Sequence, residues 1–94
     1  MVQVNIERKG ETIRAHFPSP MPSEDLLLLL LRLGNDIPYV MAGAEEAHVF
    51  FIRIPQDAGL DRATRMGLLL EAEHKLFALV GTLGYTPVLT GAAT

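Results

Sequence analysis

Six consecutive leucines, Leu26 to Leu31, lie between the acidic pair Glu24–Asp25 and Arg32, and no other feature limits the folds open to this chain as strongly. At helical steps, these leucines and Leu33 cover the whole circumference except an arc of about 100° held by Asp25 and Arg32. A surface helix shows a stripe instead, so a helix apolar all round must be covered on more than one side. A chain of 94 residues can supply only limited cover, because area scaling leaves roughly a third of its unfolded surface in water. Leaving two leucines exposed forgoes about 3 to 6 kcal/mol, a large share of a small domain's stability. Either the second helix and the loops cover everything, or a second molecule completes the cover. The expectation is the second, with Leu27, Leu28, Leu30, Leu31 and Arg32 forming the seam of a homodimer or of a partner-binding surface.

Around this helix the pattern is that of a two-layer α+β domain. Val2, Val4 and Ile6 alternate with polar residues, as do Ile13, Ala15 and Phe17, and "RKGE" between them predicts a hairpin turn. "PSPMPS" is a loop; Ser23 is an N-cap candidate, and Gly34 a stop signal that ends the helix near Leu33. "IPYVMAG" and "HVFFIRI" predict a second hairpin, the first of them limited by Pro38 to an edge or a strand start. Asp61 caps a long helix from about Arg62 to Thr82, "TPVL" can add a short last strand, and the "TGAAT" tail carries no signal. The expected order is β-β-α-β-β-α with an optional terminal β, in one domain over 1–94, the sheet antiparallel and both helices on one face. Val40, Val49 and Phe51, on the outer face of the second hairpin, form a second candidate patch or an edge for a guest strand.

Met66, Leu69, Leu70, Phe77 and Val80 make the expected core stripe of the second helix. Leu68, Ala72, Leu76, Leu79 and Leu83 widen it. Glu73 falls inside, so it either meets an arginine such as Arg62 or Arg65 or marks the edge of a contact surface.

The net charge of −3 and eight dispersed basic residues leave no footprint for nucleic acid. There is no cysteine, "MVQVNIERKG" lacks the order of a signal peptide, and Leu26 to Leu31 is far too short to span a bilayer. A cytoplasmic protein with no membrane segment is expected. Two Glu-x-x-His spacings occur, Glu45 with His48 and Glu71 with His74, but without the facing glutamates of a di-metal site. His16 lies on the wet side of its strand. No nucleophile, base and orienting group can be assembled, so neither catalysis nor a cofactor is expected.

"RATRMG" followed by a leucine-rich helix and "GYTPVLT" resembles the acyl-CoA-binding core of the Gcn5-related N-acetyltransferases, with Arg65 where their pyrophosphate turn has its middle glycine. That resemblance implies the alternative of a degenerate acyl-CoA-binding domain. A longer stretch carries another likeness: Leu30, Leu31, Arg32 and Leu33 with Ile37 and Pro38, then Pro55, then Leu60 with Asp61. It resembles the YbjN-like and type III secretion chaperone-like proteins over about two thirds of the chain. Those proteins have a helix before their first strands, where Met1 here leads into strand one, and an asparagine where this chain has Gly34. The resemblance implies a non-enzymatic, chaperone-like adaptor that dimerises through its middle helix and holds another protein or peptide.

Overall fold

The computed structural model of the chain describes residues 2–90. Among them lie strands β1 (Gln3–Lys9) and β2 (Thr12–His16), helix α1 (Ser23–Asp36), strands β3 (Met41–Glu46) and β4 (Val49–Arg53), a 3-10 turn (Gln56–Ala58), helix α2 (Arg62–Thr82) and strand β5 (Thr86–Thr90). Thr90, the first residue of the "TGAAT" end, closes β5; the remaining four lie outside the described residues.

The strands form one sheet in the order β3-β4-β2-β1-β5. β1 pairs with β2, β2 with β4 and β4 with β3, all antiparallel, whereas β5 runs parallel to β1. The sheet is therefore mixed, which corrects the expectation of a purely antiparallel one. The cause lies in the connections: each helix carries the chain back across the sheet, so β2-α1-β3 and β4-α2-β5 are crossover units whose two strands point the same way. Pairings Ile6↔Ala15, Ile13↔Ile52 and Ala15↔Phe50 place these apolar side chains on one face. They form a single core with Leu29 and Leu33 of α1 and Leu69, Ala72, Leu76, Leu79 and Val80 of α2. Both helices thus cover the same face, as expected from the alternation.

Several local signals act differently from expectation. Ser23 is the first helical residue rather than the cap; Pro22 precedes it, and no side chain caps the end. Gly34 does not stop α1, which continues to Asp36 and closes with the Ile37 N–H on the Leu33 carbonyl. Leu33 is fully buried and Asp36 pairs with Lys75 of α2 at 2.6 Å, so packing holds a last turn that the glycine alone disfavours. Ile37 to Val40 precede β3 rather than belonging to it, and Tyr39 takes φ 68°. α2 agrees with its signals: the Asp61 carboxylate accepts the Thr64 N–H at 2.8 Å, and Gly84 takes φ 98° beyond its end.

Three exposed carboxyls lie below their ordinary pKa: Asp36 through the hydrogen bond from Lys75, Glu45 through that from Arg14, and Asp61 through those from Thr64. A depressed folded pKa contributes stability that is fully present above the unfolded value and lost as pH falls through the folded one. The urea midpoint is therefore expected to be flat between about pH 5 and 7 and to fall below about pH 4. A midpoint rising in acid contradicts these pairings.

Candidate protein-interaction surfaces

The leucine helix sorts its residues into three groups. Leu29 and Leu33 are fully buried, and Leu26 and Leu30 pack at the margins of the core. Leu27 and Leu31, one turn apart, are 55% and 53% exposed. Leu28 is half-buried and Arg32 exposed. Of the seam proposed from the wheel, Leu27, Leu28 and Leu31 share the outward face, Arg32 flanks them, and Leu30 turns to the core instead. Rotation of α1 about its axis decides this: the face opposite Leu29 and Leu33 must point to solvent.

The second candidate patch is not brought together. Val40 precedes β3 and packs against the helix-side core. Val49 and Phe51 point to the face away from the helices, since Phe50 and Ile52, which alternate with them, enter the core. Val49 is buried there, and the half-buried Phe51 lies over Gly43, where a Cβ would approach its ring to 3.3 Å. Around them this face is polar. Arg14 Nε donates to Glu45 at 2.8 Å, His16 Nε2 lies 2.9 Å from Glu7, and the Arg53 guanidinium stands 5.9 Å from the Phe51 ring centre. His16 thus has a carboxylate partner rather than only water.

On α2 the stripe is rotated from its expected position. Leu70 and Phe77 are 44% and 39% exposed, while Arg65 and Glu73 are buried. Arg65 donates to Glu11 Oε1 from Nε at 3.0 Å and from Nη2 at 2.8 Å; it also bonds the carbonyls of Pro55 and Ile54 at 3.0 and 2.9 Å. This guanidinium ties the start of α2 to the end of β4 and to the first hairpin turn. It does not meet Glu73.

Glu73 is 8% exposed, and its Oε2 is buried without a hydrogen-bond partner. With His74, Phe77 and Leu89 it lines a cavity of about 250 Å³ between α2 and β5. A carboxylate oxygen taken out of water without accepting a hydrogen bond works against folding. Replacing Glu73 by leucine is therefore expected to stabilise the chain by ~1–3 kcal/mol, read from urea unfolding. A loss of stability of that size would mean that the carboxyl has a partner in solution.

The other chemistry weighed from the sequence finds these placements. Glu45 is engaged by Arg14, and Glu71 and His74 line an open cleft of about 640 Å³ beside the Asp36–Lys75 pair. Among the described residues no three metal-ligating side chains converge. At the start of α2, where an acyl-CoA pyrophosphate would bind, Asp61 already occupies the Thr64 N–H and Arg65 is turned inward. No helix among the described residues is long and apolar enough to cross a membrane. Comparison with known protein families finds no match to this chain, and comparison with curated proteins finds none either.

Proposed function

We propose that this chain is a non-enzymatic, chaperone-like adaptor that pairs with a second copy of itself through the outward face of α1 and presents its remaining surfaces to another polypeptide. The observation that carries the reading is the exposure of Leu27 and Leu31, 55% and 53%, on adjacent turns of one helix. Among the described residues, no element of the chain covers the outward half of either side chain. A two-fold pairing with α1 antiparallel to its symmetry mate sets Leu27 of one protomer against Leu31 of the other, a self-complementary contact. Gly34, with nothing within 4 Å of the position a Cβ would take, lets the second helix approach closely at the seam's end. The resemblance to YbjN-like and type III secretion chaperone-like proteins supports the same arrangement, and a cytoplasmic location accords with the cysteine-free sequence.

Light scattering over a concentration series tests the pairing. The expected result is twice the chain mass at tens of micromolar, falling to the chain mass on dilution. A single chain mass at every concentration sinks the dimer.

A further inference from the structure

The groove between α2 and β5 has features that the α1 seam lacks. Its floor holds Glu73, more than nine-tenths buried, with an Oε2 that accepts no hydrogen bond. Its walls are Phe77 and Leu89, themselves 39% and 49% exposed, with His74 at the rim. A buried carboxyl in an apolar slot matches one kind of group: a cationic head on an apolar stem, as in a lysine or arginine side chain. The Phe77 ring offers such a cation a second favourable contact. Among the described residues no cation pairs with Glu73: Arg65 binds Glu11, Lys75 binds Asp36 and Arg14 binds Glu45. Arg8, on the helix-facing side of β1 beyond Ile6, forms no such pair either.

The strand beside the slot narrows the class of ligand. β5 lies at the end of the sheet and pairs only with β1 among the described residues. Its Thr86 N–H is directed to the Val2 carbonyl and Pro87 has no N–H, so by alternation the outward groups are the Leu89 N–H and the carbonyls of Pro87 and Leu89, a short edge for a guest strand. Register Ile6↔Leu89 puts Leu89 on the helix-facing side, so a strand added to that edge projects every second side chain toward α2. One of these can enter the slot, and its apolar neighbours can cover Leu70 and Leu89. The net charge of −3 favours a basic guest.

We propose that the α2–β5 groove binds an extended, basic segment of another polypeptide, which adds to the β5 edge as a further strand and sets one lysine or arginine against Glu73. This rests on reading the chain as a protein-binding domain and names the chemistry of its guest; it does not require the α1 seam.

The probe is a labelled heptapeptide, acetylated and amidated, with a central lysine, a valine two residues to either side of it, and threonines at the other positions. Fluorescence anisotropy on the full chain is expected to show saturable binding, weakened roughly thirtyfold when norleucine or glutamate replaces the lysine. Glu73→Gln, which keeps the shape, is expected to weaken the lysine peptide by a similar factor and to leave the norleucine peptide unchanged. The Leu27→Glu/Leu31→Glu variant is expected to bind the peptide as the unaltered chain does. Absent binding, equal affinity for lysine and norleucine peptides, or indifference to Glu73→Gln each overturns the inference. So does a double-mutant cycle that couples Glu73 to Arg8. None of these outcomes bears on the dimer, which scattering decides separately.

Discussion

Leu27→Glu combined with Leu31→Glu is expected to weaken self-association by about a hundredfold or more while the chain stays folded. Both positions are half exposed in the single chain, so the substitutions remove little intramolecular packing. In a two-fold pair each change occurs twice, so four leucine surfaces lose their cover. Four carboxylates then face one another across the seam, and like charges drawn out of water oppose the contact further. Two readouts check the result together: mass by scattering, and the midpoint of urea unfolding at a concentration where both chains are monomeric. The contrast is Leu29→Ala at a fully buried position, expected to cost ~2–5 kcal/mol whatever the oligomeric state. If the double glutamate chain still pairs, the seam lies elsewhere; if it unfolds, the outward face of α1 is part of the core.

Arg65→Ala is expected to destabilise the chain by ~2–4 kcal/mol, the largest loss for any polar side chain in the fold. The side chain is 9% exposed and holds four hydrogen bonds at once, two to Glu11 and one each to the carbonyls of Ile54 and Pro55. Truncation leaves those carbonyls without a donor at the junction of β4 and α2. Arg65→Lys is expected to recover only part of the loss, because one ammonium cannot reproduce the planar fork that bridges a carboxylate and two carbonyls. Glu11 is 42% exposed, so Glu11→Gln is expected to cost under about 1 kcal/mol. Urea unfolding of the three variants measures all of this. Equal losses for Arg65→Ala and Glu11→Gln would show that the ion pair, not the carbonyl contacts, holds the junction. The opposite signs expected for Arg65→Ala and Glu73→Leu make the two buried charges a matched comparison: one is fully satisfied within the chain, the other is not.

Much of the architecture was legible because its signals are local. Alternation at Val4, Ile6, Ile13 and Ala15 gave the first hairpin and its core side, and Asp61 with the residues after it gave the start of α2. Signals that compete with packing were misleading. Gly34 suggested a helix end, yet buried Leu33 and the Asp36–Lys75 pair carry α1 one turn further. Leu70 and Phe77 suggested core, yet α2 buries Arg65 and Glu73 in preference, because hydrogen bonds at the β4 end and the position of β5 set its rotation. No local pattern could have shown that Glu73 lacks a partner, since that depends on where every arginine ends.

The sequence by itself determined that α1 carries more apolar surface than one side of a helix can hide, since seven leucines among residues 26–33 are a matter of composition and of the angle between successive residues. Which of them stay outside was decided by the tertiary structure alone. Periodicity fixes angles about the helix axis, but only docking on the sheet chooses the direction that faces inward. The direction of β5 was likewise decided by the path of α2 over the sheet, because a strand's orientation follows from the crossover that delivers it and not from its own residues.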